Sequence, residues 1–197
     1  MSFFKKLFGI EKSDSHTSTE TKKIEVNLSL DDAFVHHFIE KGGKFLYCTT
    51  SDEVIDSLSK IIEENKWNEL ICALPSLEGF VDSEKIKVIT DLSQKKPIFT
   101  TCEHLIANKG DILFSSNQIK SYKLTDLSDN FIVYAKTSQF VQNIGQGLTG
   151  IKTNYLGNLP TNISAVKKYT ISKNDDNFLN YGNNNAKNLY LLLFEDL

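Results

Sequence analysis

The sequence predicts an α/β fold with a parallel-rich, mixed sheet flanked by helices, and three observations carry that prediction. Through the first half of the chain, short apolar runs alternate with stretches of helical period, the pattern that right-handed crossovers between parallel strands produce. The last apolar run, Leu189-Tyr190-Leu191-Leu192-Leu193-Phe194, has no polar alternation, as a strand covered on both faces should. The 197 residues, 40% hydrophobic and 24% charged, suit one domain able to bury roughly 70% of its unfolded surface.

Residues 1–28 are expected to form a short N-terminal helix and a flexible linker, and residues 29–197 the domain. Phe3, Phe4, Leu7 and Phe8 fall near one helical face, flanked by Lys5 and Lys6. Two turns are too few for stable membrane anchoring. Residues 11–27 are rich in Ser, Thr, Glu and Lys, a linker composition.

A helix is predicted from Ser29, with Leu30, Ala33, Phe34 and Phe38 on its apolar face and Gly42-Gly43 as its stop. A strand over 44–48 follows. Thr50 with Glu53 three residues on opens a second helix in a capping-box pattern, with Val54, Leu58, Ile61 and Ile62 inward. Strands are then expected over 70–74, ending at Pro75, and over 86–89. From Pro97 the pattern becomes closely spaced strands, 98–101 and 112–116, joined around a turn at Asn108-Lys109-Gly110-Asp111 and read as a hairpin or bend. A strand over 131–135 precedes a helical stripe of Phe140, Val141, Ile144, Leu148 and Ile151, capped at Thr137 or Ser138. Strands over 163–166 and 189–194 complete the sheet, separated by an Asn/Asp-rich loop over 174–188.

Charge and composition exclude several function classes. Net charge is −3, so there is no basic field to drive phosphate-backbone binding, and nucleic acid is not expected as a partner. All 22 cations are lysine, with no arginine anywhere. A bidentate guanidinium clamp on a carboxylate or phosphate is therefore impossible, and any anion must be held by lysine or backbone amides. Cys48, Cys72 and Cys102 lie far apart and form no C-x-x-C pair, so no zinc or iron–sulfur cluster assembles locally and no cofactor is expected. No membrane-length apolar run and no signal peptide is visible, which makes the cytoplasm the expected compartment.

Three constellations invite chemistry. Gly145-Gln146-Gly147-Leu148-Thr149-Gly150 matches G-x-G-x-x-G, yet it lies inside an amphipathic stripe about ten residues after the preceding strand. A weakened or broken helix explains it better than a dinucleotide site. Cys102-Glu103-His104 juxtaposes thiol, carboxyl and imidazole, and strict strand alternation would let only Cys102 and His104 share a face. His36-His37 are adjacent on a helix and diverge by about 100 degrees, so they read as a solvated residue beside a partly buried one, with no metal site.

The run Ile106-Ala107-Asn108-Lys109-Gly110-Asp111-Ile112-Leu113-Phe114-Ser115-Ser116-Asn117-Gln118, the run 131–139, and the terminal Ala186-Lys187-Asn188 with the strand after it resemble the LUD (lactate utilisation) domain family. The resemblance covers about 38–197 and implies a fold of the NagB/RpiA/CoA-transferase-like type. It also implies a place beside iron–sulfur oxidoreductase subunits in lactate or organic-acid use. Where the family shows Ala-Glu-Thr-Gly-Thr, this chain has Ala107-Asn108-Lys109-Gly110-Asp111. A mechanism resting on the family's glutamate does not transfer.

These residues give the expected ligand-binding set. Asn108, Lys109, Gly110 and Asp111 form the turn, Ser116, Asn117 and Gln118 follow it, and Thr137, Ser138 and Gln139 come after a strand, where α/β sheets hold ligands. Three functions remain open. One is an accessory or ligand-binding domain for a small organic acid. Another is an isomerase or transferase on a phosphorylated or CoA-linked substrate, with Glu103, His104 or Asp111 as acid or base and Lys109 or Lys187 on the anion. The third is a non-catalytic assembly protein. Either of the first two implies a small organic acid or phosphorylated ligand.

Overall fold

The computed structural model describes residues 28–170 and 185–197, so the N-terminal helix and linker and most of the Asn/Asp-rich loop lie outside the described residues. The chain runs α1 (Leu30–Glu40), β1 (Lys44–Cys48), α2 (Ser51–Glu64), β2 (Glu69–Cys72), β3 (Lys87–Ile89), β4 (Ile98–Thr100), β5 (His104–Ile106) and β6 (Asp111–Phe114). It continues through α3 (Ser116–Ile119), β7 (Asn130–Lys136), β8 (Phe140–Val141), α4 (Ile144–Asn154), β9 (Ser164–Val166) and β10 (Asn188–Phe194).

Six strands form a wholly parallel sheet in the order β1-β10-β7-β4-β2-β3. The α/β expectation holds. The strand β10 lies inside the sheet between β1 and β7, and alternation along it sorts residues to two faces. Leu189, Leu191 and Leu193 join one apolar core with Phe131 and Val133 of β7 and with Phe34, Val35 and Phe38 of α1. Tyr190 and Leu192 join the other with Val54, Leu58 and Ile61 of α2. Burial on both faces explains the unbroken apolar run.

The helix starts are chemically specified. Ser29 accepts from the Asp32 backbone N–H to open α1. At α2, Thr50 Oγ1 accepts from Glu53 N at 3.2 Å, and Glu53 reaches back past the cap to accept from Thr49 N at 2.6 Å.

The second half departs from the sequence expectation. The strand over 98–101 is β4 of the parallel sheet and has no hairpin partner. The hairpin pairs β5, which periodicity does not reveal because it has only three residues, with β6. Both belong to a separate four-stranded sheet, β8-β5-β6-β9, in which the predicted strand near 163–166 also lies. Phe140 and Val141 are not helical. They pair with Leu105 and Ile106, and α4 starts later, where Asn143 accepts from Gln146 N at 3.1 Å. Nor is the predicted strand to Ser116 complete: Ser115 leaves β6 to cap α3.

The small sheet lies against the α1 face of the large one through Leu105, Ile112 and Phe114. Its other side carries Ile106 and Leu113 against Ile151 of α4. The G-x-G-x-x-G segment serves this packing. A Cβ on Gly147 would lie 3.3 Å from Ile106 and one on Gly150 would lie 2.7 Å from His104 Nε2, so α4 approaches the sheet closely and continues unbroken through both glycines.

Candidate functional site

Adjacent parallel strands present their carboxyl ends on one side, and β4 and β7 are neighbours with Thr100 opposite Val133. Beyond those two ends the chain opens a recess of about 410 Å³. From the chain leaving β4 come Thr101, Cys102 and Glu103, with His104 at the start of β5. From β7 and its exit come Tyr134, Lys136, Ser138 and Gln139. Gln118 of α3, with Asn154 and Tyr155 at the end of α4, closes the far wall.

Glu103 is the centre of this arrangement. It is 8% exposed, and its backbone N–H is tied to Leu113 O at 2.8 Å. Three groups donate to Oε1: Ser115 Oγ at 2.5 Å, Asn117 Nδ2 at 2.9 Å and Gln118 Nε2 at 3.1 Å. Tyr155 OH donates to Oε2 at 3.2 Å. Capping does much of the positioning. Ser115 N–H donates to Gln118 Oε1 at 2.8 Å, and Ser115 Oγ accepts from Asn117 N at 3.1 Å, so the first turn of α3 aims its side chains at the carboxyl. Burial first, and then the charge of Glu103, push the Tyr155 hydroxyl above its usual range, which keeps it a donor.

Gln139 braces the opposite wall. Its Nε2 donates to the carbonyls of Cys102 at 2.6 Å and Glu103 at 3.2 Å, while its Oε1 accepts from Lys136 N at 2.8 Å. His104 Nδ1 lies 3.3 Å from Gln139 O, and the ring rests on Gly150. Glu103 precedes β5, so strict alternation does not apply there, and Glu103 and His104 both line the recess. Cys102 is 3% exposed. Burial pushes its thiol well above the usual range, leaving it protonated and a poor nucleophile at neutral pH. Burial raises the Cys48 and Cys72 thiols as well.

The residues named from the sequence fall into two groups. Gln118, Ser138 and Gln139 line the recess, and Asn117 touches it through Glu103. Ser116 faces Thr161, whose N–H donates to Ser116 Oγ at 3.0 Å. Thr137 and Ser138 hold Asp196, with Thr137 Oγ1 and Ser138 Oγ donating at 2.8 and 2.7 Å. They do not cap a helix.

Asn108, Lys109, Gly110 and Asp111 sit at the other end of the hairpin, four residues along β6, or roughly 13 Å away. Gly110 does adopt a positive φ of 63°. Its backbone is pressed onto α1, where an added Cβ would meet Phe38 N at 2.5 Å. Asp111 is buried and paired with Lys41 at 2.7 Å, and Lys41 also donates to the Lys109 carbonyl. Gly110 and Asp111 are taken up by this packing, while Asn108 and Lys109 are exposed. Lys187 stands at the amino end of β10, and so it too lies away from the recess.

Sequence reading did not single out Tyr134, Lys136, Asn154 or Tyr155. Tyr134 and Lys136 end a recognisable strand and were reachable by the rule that ligands lie beyond strand carboxyl ends. Nothing local marks Asn154 or Tyr155, which α4 delivers. For metals, the described residues hold one group with ligand atoms within 4.8 Å of one another, His36, His37 and Glu40 on α1. His36 is exposed and His37 half-buried.

Fold and recess together define an α/β domain with a ligand-sized polar cavity beyond its parallel strands. No family model matches the sequence, and no curated protein matches it. Among solved structures, a DUF162 family protein from Deinococcus radiodurans is similar in shape, with a TM-score of 0.60 and 10% identity over 84% of this chain and 96% of that one. At that identity the likeness is one of fold. No helix among the described residues is long and apolar enough to cross a membrane.

Proposed function

We propose that this chain is a LUD-type domain that binds a small organic acid in the Glu103 recess and serves as the ligand-holding component beside iron–sulfur oxidoreductase subunits. DUF162 is the LUD-domain family, so the shape match supports the resemblance read from the runs 106–118 and 131–139. One observation carries the reading. A buried carboxyl is held by four side-chain donors at the wall of an open cavity beyond the carboxyl ends of parallel strands, where α/β sheets take ligands. A carboxyl so thoroughly fixed is oriented for recognition, and with Tyr155 the one donor to Oε2 among the described residues it has capacity to accept a ligand hydroxyl.

The test is a thermal-shift and calorimetric screen of the full chain against lactate, pyruvate and related acids, in the wild type and in Glu103→Gln. Stabilisation by an acid that Glu103→Gln abolishes supports the proposal. Silence across the panel, with a folded wild type, overturns it.

A second reading, an enzyme of isomerase or transferase type, gains from one placement: Glu103 and His104 line the same recess, so a carboxyl and an imidazole stand available as acid and base. Turnover lost in both Glu103→Gln and His104→Ala would favour it.

A further inference from the structure

The recess is lined by two kinds of polar group, and the difference specifies the ligand. Some are consumed by the protein. Oε1 of Glu103 has three donors, both ends of Gln139 are bonded, and Gln118 is shared between Ser115 and Glu103. Others belong to lining residues and make no hydrogen bond to any described residue: the Thr101 hydroxyl, the Tyr134 hydroxyl and the Asn154 amide. His104 is held between Gln139 O, 3.3 Å from Nδ1, and Gly150 of α4. The single cation, Lys136, is half-exposed and reaches Asp196 only at 4.0 Å. The uncommitted set is therefore two neutral hydroxyls, one amide, one ammonium, and the free lone pairs of Glu103 Oε2.

Size points the same way. The recess of about 410 Å³, open to solvent, is larger than a three-carbon acid needs and falls in the range of small-molecule pockets. A ligand that fills the space and answers its polarity carries several neutral donor-acceptor groups and one negative charge. A phosphate dianion is a poor match to a solitary lysine without a guanidinium. A ligand with no hydroxyl on its backbone leaves Tyr134, Thr101, Asn154 and Glu103 unanswered, and unpaired polar groups count against binding.

We propose that the recess is built for a polyhydroxylated monocarboxylic acid of five or six carbons, a sugar acid, with its carboxylate toward Lys136 and a hydroxyl donating to Glu103 Oε2. This rests on the organic-acid reading above and narrows it.

Isothermal titration of the full chain with gluconate, lactate, sorbitol and gluconate 6-phosphate tests it. Gluconate is expected to bind at least tenfold more tightly than each of the other three. Lys136→Met is expected to weaken gluconate at least tenfold while leaving sorbitol unchanged, and Tyr134→Phe, which keeps the ring, to weaken gluconate several-fold. Lactate equal to or tighter than gluconate overturns the sugar-acid inference and leaves the organic-acid recess standing. Sorbitol matching gluconate, or the phosphorylated acid exceeding it, overturns the single-anion match. Failure of all four ligands, with circular dichroism showing the chain folded, overturns the sugar-acid inference, and an equally silent acid panel in the earlier screen would take the broader reading with it.

Discussion

Ser115 and Glu103, twelve residues apart in sequence, meet at 2.5 Å where the β5–β6 hairpin opens toward the recess. The bond links the end of one strand to the approach of the other, and Ser115 at the same time caps α3. Ser115→Ala removes a donor from a buried carboxyl and a cap from a helix. An unmet buried group costs about 1–3 kcal/mol, so a loss of about 2 kcal/mol in urea unfolding is expected. Ser115→Thr, which keeps the hydroxyl, should recover most of it. Equal losses in both variants would mean that packing at the site, and not the hydrogen bond, sets the stability.

The glycines of α4 give a second prediction. Gly150→Ala gains about 1 kcal/mol of helix propensity, but its new methyl would sit 2.7 Å from His104 Nε2 and 3.1 Å from Cε1. Overpacking of that kind costs about 1–3 kcal/mol. The variant is expected to lose about 1 kcal/mol net, and Gly150→Ala combined with His104→Ala to lose less than the two single changes added together. Additivity in that double-mutant cycle would show that the ring and the helix do not press on each other.

How much of this was legible in the sequence depends on the length of the local signal. The Ser29 and Thr50 caps, the Gly42-Gly43 stop and the apolar run of β10 each span enough residues to express a period or a fixed offset, and all are found. The strand β5 has three residues and β8 two, too few for alternation to declare itself, and so the second sheet was folded into the first. At the site, Glu103 and His104 stood out as chemistry-bearing neighbours. Tyr155 did not, because its place depends on how closely α4 packs through Gly147 and Gly150, a tertiary fact. The Gly110 turn reads in the sequence as binding chemistry, because nothing local marks the helix pressed against it.

Lys187 is 2% exposed, with its ammonium 3.4 Å from Leu127 O and 3.7 Å from an exposed Asp129. Burial lowers its pKa from 10.5, more strongly than Asp129 raises it. A folded value below the unfolded one means that the protonated group penalises the fold at low pH and that stability is recovered as pH rises toward 10.5. Leu127 O keeps a donor in Lys95 at 3.2 Å. Lys187→Met is therefore expected to stabilise by about 1 kcal/mol at neutral pH, with the advantage shrinking toward pH 10. Guanidinium melts across that range check it, and a destabilised Met variant at pH 7 would contradict it.

Glu69 makes the opposite case at the surface. Lys87 at 2.8 Å and Lys96 at 2.5 Å flank its carboxyl, and their hydrogen bonds hold its pKa at about 2, below the usual 4.5. A depressed carboxyl stabilises the fold above its unfolded value, and the contribution disappears as pH falls from about 4.5 toward 2. Glu69→Gln is expected to lower Tm at pH 7 and low salt, to converge with the wild type near pH 2, and to lose most of the difference in high salt because the pair is exposed. A gap that persists at pH 2 would assign the effect to something other than these ion pairs.

The two halves of the polar set named from the sequence should separate in one measurement. The turn at Asn108 and Gly110 is roughly 13 Å from Glu103 along β6, and its Gly110 is covered by α1, whereas Gln118 and Gln139 line the recess. Gly110→Ala must take a strained positive φ, costing about 1–3 kcal/mol, and must also push into the Phe38 backbone, so it is expected to unfold at markedly lower denaturant. Asn108→Ala, on the exposed tip, should leave both stability and ligand affinity unchanged. Gln139→Ala frees the carbonyls of Cys102 and Glu103 and slackens the wall that orients the carboxyl, so it should weaken any acid that binds by tenfold or more while Asn108→Ala does not. Affinity that responded to Asn108→Ala and ignored Gln139→Ala would move the site from the recess to the turn.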